Sequence, residues 1–281
     1  MIGAIIGDIV GSRFEFNNHK SKDFEMFTDE CEVTDDSIMT LAVAKALMEA
    51  DKKREQNKED PTRVHEQDRE YYYLVETMVV RYMQGIGRRY PNCGYGGRFF
   101  DWLFSSDPHA YNSYGNGAAM RISSVAFTAR TEVGAIKLSQ AVTGVTHNHP
   151  EGLLGAEATT VAIFMARQGS TKEEIRNRII SDYYPLNFTI DGIRDSYKFD
   201  VSCQGTVPQA IQAFLESDSF EDAIRTAISV GGDSDTLAAI TGAIAEAHYG
   251  VPEEIKEKAL TYLDGDLVSI YKEWTEFTKT A

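Results

Sequence analysis

Residues 231–250 read GGDSDTLAAITGAIAEAHYG: a glycine pair, two aspartates around a serine, a threonine, then apolar residues at helical spacing. The pattern predicts an amphipathic helix over Leu237–Tyr249 that carries Asp233, Asp235 and Thr236 at its amino-terminal end. The stretch TDDS at Thr34–Ser37 repeats the arrangement ahead of a second helix, expected over Ser37–Arg54. There Ile38, Leu41, Ala42, Ala46 and Leu47 form the apolar stripe, with Lys45 and Glu49 off it. Helical spacing recurs in Tyr71–Met83, Ala135–Val145, Leu153–Ala166, Ser219–Val230 and Pro252–Leu263. Thr171 with Glu174 and Ser219 with Asp222 suit N-terminal caps, and Pro252 stands where a first helical turn tolerates proline. Strand alternation is almost absent, so the expected fold class is all-α.

The chain has 281 residues, of which 42% are apolar and 25% charged, enough to bury a core. The one sharp shift in composition, Asp51–Glu70, mixes both charge signs around Pro61 and is expected as an exposed helix end and loop. Residues 1–53 are too few to bury a core alone, so a single domain over residues 1–281 is expected. Gly85–Gly97 and Tyr111–Gly117 are expected as irregular loops. Lys and Arg number 28 against 43 Asp and Glu, a net charge of −15, which excludes bulk nucleic-acid binding through phosphate contacts. Cys31, Cys93 and Cys203 are odd in number and form no C-x-x-C pair, which argues against a disulfide framework and a thiolate zinc site and points to a reducing cytoplasm. No apolar stretch reaches the roughly 20 residues of a membrane helix, and Met1–Gly11 lacks a basic leader region. A monomer is expected at this size.

Capping needs one short polar side chain, whereas Thr34–Asp36 and Asp233–Thr236 each offer two carboxylates and a hydroxyl. Oxygen-only sets of this kind suit Mg²⁺ or Mn²⁺, with Ca²⁺ also compatible, and no His or Cys stands at zinc spacing. If the two helix starts converge, their four carboxylates repel one another and call for divalent ions, two of them sharing a bridging aspartate. A third element, GDIVGSRFE at Gly7–Glu15, is weaker. Alone it reads as a turn closing an apolar N-terminal helix, with Asp8 a structural acceptor.

Taken together, GDIVGSRFE at Gly7–Glu15, TDDS at Thr34–Ser37, YGNGAAMR at Tyr114–Arg121, THNHPEG at Thr146–Gly152 and GGDSDT at Gly231–Thr236 resemble the ADP-ribosylglycohydrolase family. The resemblance implies a compact orthogonal multi-helix bundle with a dinuclear metal centre between helix N-termini, holding two Mg²⁺ or Mn²⁺. It implies Thr34, Asp35, Asp36, Asp233, Asp235 and Thr236 as metal ligands, with Asp235 between the ions, and Glu15 and Asp35 as catalytic groups. Ser113, Tyr114, Gly115, Asn116, Gly117 and His147 would then face ADP-ribose, while His149 is structural. Arg121 pairs either with a phosphate or with an acidic neighbour. After Arg121 many relatives carry a proline where this chain has Ile122-Ser123-Ser124, and Ser202–Pro208 is expected as loop structure near the pocket, with Cys203 a small buried residue.

The implied activity is metal-dependent removal of ADP-ribose from an N- or O-linked acceptor, by attack of a metal-activated water at the anomeric carbon. Two alternatives use the same residues: a two-metal nucleotide or phosphoester hydrolase, and a non-catalytic ADP-ribose binder or crystallin-like structural protein. None of these motifs selects the acceptor.

Overall fold

The computed structural model describes residues 1–56 and 64–280. Its helices are α1 (Ile2–Gly11), followed by a 3-10 turn (Ser12–Phe14), α2 (Asp35–Gln56), α3 (Val64–Gly87), α4 (Gly97–Phe104) and α5 (Gly117–Met120). Next come α6 (Ser123–Thr128), α7 (Glu132–Gly144), α8 (Pro150–Arg167), α9 (Lys172–Asp182) and α10 (Ile190–Ile193). The chain ends with α11 (Cys203–Glu216), α12 (Phe220–Ile228), α13 (Ser234–Tyr249), α14 (Glu253–Leu260) and α15 (Gly265–Thr280). Among the described residues there is no strand; a single antiparallel bridge pairs Gly115 with Ser202. No described helix is long and apolar enough to cross a membrane.

The bundle is built around α13, which packs on α1, α8, α11 and α12. Residues Ser234–Ala245 are buried on every face, and solvent reaches only the last turn, where Glu246 and His248 lie. This corrects the amphipathic expectation: a run of Leu, Ala, Ile, Thr and Gly offers no polar face to water, so the helix goes to the centre. Helix α1 is likewise buried at all ten positions.

Three glycines bring these two helices into backbone contact. A Cβ at Gly3 would stand 2.1 Å from the Gly242 carbonyl oxygen, one at Gly7 2.0 Å from that of Ala238, and one at Gly11 2.5 Å from Asp235 Cα. Spaced four residues apart, they form a groove along α1 that receives α13. From its other side α1 sends Asp8 to the start of α2, so one short helix places the beginnings of both α2 and α13.

Two other expectations change. Gly85–Gly87 closes α3 rather than opening a loop, and Ser202–Pro208 starts α11, with the Ser202 hydroxyl accepting from Gly205 N–H at 3.1 Å and Pro208 inside the helix. The charged stretch Asp51–Glu70 is helical at both ends, to Gln56 and from Val64; its middle lies outside the described residues.

Candidate active site

The start of α2 is held by a buried carboxylate. Asp8 Oδ1 accepts from the Thr34 hydroxyl at 2.6 Å, and Asp8 Oδ2 accepts from the backbone N–H groups of Thr34 and Ser37 at 3.1 and 3.0 Å. Asp8 thus caps the helix from 26 residues upstream, at the positive end of its dipole. Burial still pushes its carboxyl up to about 6, against the pull of these hydrogen bonds. The Asp35 N–H donates to the Cys93 carbonyl at 2.8 Å, which turns the residue toward a cavity of about 350 Å³.

Glu15, Asp35, Asp36, Asp233, Asp235 and Thr236 all line that cavity. One carboxylate oxygen from each of Glu15, Asp233 and Asp235 lies within 4.8 Å of the other two. Asp36 Oδ2 accepts from the Thr236 hydroxyl at 3.2 Å, which joins the two helix starts directly. Its Oδ1 is buried without a hydrogen-bond partner, an uncommon and costly state for a carboxylate oxygen. Burial, reinforced by mutual repulsion, raises the carboxyls of Asp36 and Asp235 well above the usual range, Asp35 to about 8 and Glu15 to about 7. An orphaned buried oxygen inside a self-repelling, oxygen-only donor set fits hard divalent cations. Thr34 is the exception: its hydroxyl donates to Asp8, and it is not among the lining residues.

The same cavity is lined by Ser113, Tyr114, Gly115, Asn116, Gly117 and His147. The 113–117 loop is pinned to the start of α11 by Asn116 N–H donating to Val201 O at 2.7 Å and Cys203 N–H donating to Tyr114 O at 2.9 Å. Asn116 Nδ2 donates to Asp233 Oδ2 at 2.6 Å and to Thr206 Oγ1 at 3.1 Å, tying the glycine loop to the carboxylates. The N–H groups of Gly115 and Asn116 are thereby engaged inside the protein, the former by Ser113 Oγ at 3.2 Å, rather than turned to a ligand. The Tyr114 ring is 46% exposed and rests 5.2 Å from the His149 ring. His149 itself caps α8, accepting from Glu151 N–H. Cys203 is buried and its Sγ donates to Gly115 O at 3.2 Å; burial first, then Glu151, pushes its thiol up to about 12.

Two cationic groups complete the lining, Arg98 from α4 and Arg121 from the turn after α5. Arg98 was not anticipated, although a cation directly after the glycine pair Gly96-Gly97 in so acidic a chain is a legible signal. Phe99, Tyr111, Met120 and Val201, also unforeseen, supply the apolar part of the wall.

A family model described as ADP-ribosylglycohydrolase matches residues 1–277. The chain belongs to the ADP-ribosylglycohydrolase family. As a member it is an enzyme, a hydrolase of glycosidic bonds. It is 28% identical to the ADP-ribosylarginine hydrolase Tri1 of Pseudomonas putida (strain GB-1), over 92% of this chain and 72% of that protein. It is 24% identical to human ADP-ribosylhydrolase ARH3, over 96% of this chain and 90% of that one. A shorter match, 28% identical over 56% of this chain and 53% of the relative, is to the ADP-ribosyl-[dinitrogen reductase] glycohydrolase of Rhodospirillum rubrum. Among solved structures, an ADP-ribosylglycohydrolase-related protein complex shares the fold, with a TM-score of 0.61 and 21% identity over 93% of this chain and 95% of that one.

Proposed function

We propose that this ADP-ribosylglycohydrolase, acting as one domain over residues 1–281 and as a cytoplasmic monomer, is a metal-dependent hydrolase that releases ADP-ribose from an N- or O-linked acceptor. The observation that carries the proposal is the lining of one cavity by two opposite sets of groups. Glu15, Asp35, Asp36, Asp233 and Asp235 form a carboxylate set, and Arg98, with His147 as a neutral donor beside the buried charge of Arg121, forms a set suited to anionic oxygen. ADP-ribose has matching parts, a ribose whose hydroxyls a cation can hold and a pyrophosphate that needs positive partners.

Asp35, Asp36, Asp233, Asp235 and Thr236 would hold two divalent ions, with Thr34 acting through Asp8 at the helix start. Bound ions would neutralise the carboxylates and supply Lewis-acid stabilisation to substrate oxygens. Glu15 sits beside Asp233 and Asp235, placed to take a proton from water. The bond from the anomeric carbon to the acceptor breaks with its electron pair going to the acceptor, leaving an oxocarbenium-like ribose; water adds to that carbon, and the proton that Glu15 takes from it balances the one the acceptor gains.

The test is product analysis across ADP-ribosyl linkages to arginine, serine, a nucleobase and acetate, each with Mg²⁺, Mn²⁺ or Ca²⁺. Arginine heads the panel because one relative is named for it. Intact ADP-ribose is the expected product. AMP with ribose phosphate would instead mark a phosphoester hydrolase, and binding with no turnover of any substrate would mark a non-catalytic binder.

A further inference from the structure

Arg121 is 1% exposed, yet among the described residues it forms no ion pair with a carboxylate. Its Nη2 donates to Thr146 Oγ1 at 2.7 Å and meets His147 Nδ1 at 2.9 Å, its Nε is buried without a partner, and the Phe99 ring lies 5.0 Å beneath the guanidinium. A guanidinium has five N–H donors and no acceptor. Nδ1 of His147 must therefore present its lone pair to Arg121, because an N–H there would face another N–H at 2.9 Å. The Thr146 hydroxyl, 2.7 Å from the same Nδ1, accepts from Arg121, and its own proton faces both this ring nitrogen and, at a longer 3.4 Å, the Thr143 carbonyl.

His147 is 4% exposed. The charged and titratable groups facing it are Arg121, Arg98 from α4 and Tyr111, whose ring centroid is 5.8 Å away. Burial first, then the two cations, hold the imidazole well below its ordinary value, so it stays neutral. With Nδ1 an acceptor, the single ring proton sits on Nε2. That nitrogen points to the glycine loop: a Cβ placed on Gly115 or Gly117 would stand 3.6 or 3.5 Å from it.

We infer that Arg121 is a positioning residue that fixes His147 as the neutral Nε2–H tautomer, turned toward the Gly115–Gly117 loop to donate a hydrogen bond to an oxygen of the bound ligand. The permanent charge of Arg121 is used to orient a neighbour rather than to grip a phosphate directly. The identity of the ligand as ADP-ribose rests on the proposed function above; the tautomer lock does not.

Two measurements separate the parts. In protein labelled with ¹⁵N-histidine, two-bond ¹H–¹⁵N correlation spectra without ligand should show His147 as the Nε2–H form from pH 8 to pH 5 with no titration. Arg121→Met should let the ring titrate within that range or populate the Nδ1–H form, and Arg121→Lys, which keeps charge but loses the fork, serves if the methionine variant does not fold. A wild-type His147 that is charged or Nδ1-protonated at pH 7, or a spectrum unchanged by removing the guanidinium, overturns the lock. Calorimetry with ADP-ribose and Mg²⁺ then reads the coupling. Arg121→Met and His147→Phe should each weaken binding about tenfold, and together no more than either alone, since one acts through the other. Additive losses overturn the positioning role. The expected spectra with undiminished ADP-ribose binding in both variants would overturn the contact of His147 with the ligand, whereas a wild-type protein that binds no ADP-ribose would sink the proposed function and leave the lock standing.

Discussion

Replacing Gly7 by alanine adds one methyl group at the closest point between α1 and α13. The new Cβ would lie 2.0 Å from the Ala238 carbonyl oxygen and 2.2 Å from its carbon, where real contacts are no shorter than 3.0 Å, so the helices must part by at least 3.0 − 2.0 = 1.0 Å. Neither side can yield by a rotamer change, because the obstructing atoms are backbone. Overpacking of this kind costs about 3 kcal/mol, which at about 2 °C per kcal/mol for a chain of this length lowers Tm by about 6 °C. The shift passes to the site, since Ala238 is three residues beyond Asp235 and Gly7 adjoins Asp8. A 1 Å misplacement of catalytic groups costs about a hundredfold in rate. Differential scanning calorimetry and kcat/KM for ADP-ribose release provide the assay. Gly85→Ala is the control: nothing lies within 4 Å of its Cβ, and alanine inside α3 should raise stability by about 0.5–1 kcal/mol. A Gly7→Ala protein that melts within about 1 °C of wild type and keeps its kcat/KM refutes the helix-contact argument.

Asp235→Asn should abolish ADP-ribose release while leaving the protein folded, checked by circular dichroism beside the activity assay; undiminished release removes the residue from the mechanism. Chelation by EDTA should lower Tm by about 5 °C, since a ligand at a hundred times its Kd contributes about 2.7 kcal/mol. An unchanged melting curve would show that no ion is integral to the fold. In metal-free protein, Asp8, Glu15 and Asp35 are raised to about 6, 7 and 8 from ordinary values of 3.8 to 4.5, so the folded state holds more protons than the unfolded chain across that interval. These groups therefore contribute stability that is full near pH 4 and lost as pH rises toward 8, a slope that Mg²⁺ flattens with release of protons; a pH dependence of metal-free Tm that is the same in the Glu15→Gln and Asp35→Asn variants contradicts the assignment.

The two acidic helix starts could be read locally because the carboxylates that line the cavity are written in neighbouring residues, Asp35 with Asp36 and Asp233 with Asp235. What stayed hidden depends on partners far along the chain. Nothing in TDDS tells that the Thr34 hydroxyl donates to Asp8, which moves that residue away from the cavity lining. Arg121 offered a choice between phosphate and carboxylate; its partners, Thr146 and His147, are 25 and 26 residues away and neither is charged. Ser202–Pro208, expected as loop structure near the pocket, is instead the capped first part of α11. The helical periodicity of α13 was plain, whereas its burial on every side follows only from four neighbouring helices.

The pairing of α1 with α13 also has a consequence for how the protein is made. The Gly3 N–H donates to Glu246 Oε2 at 2.8 Å across 243 positions of sequence. At roughly 5–20 residues per second, α1 leaves the ribosome roughly 10–50 s before its partner is synthesised. Throughout that interval ten residues that end up wholly buried have no native surface to cover them. The cavity carboxylates at the start of α2 likewise wait for those at the start of α13, so a chain stopped short of about residue 250 has neither its central helix pair nor its site. Nascent chains of this length should therefore occupy chaperones, and C-terminal truncation should yield insoluble protein rather than a smaller working enzyme.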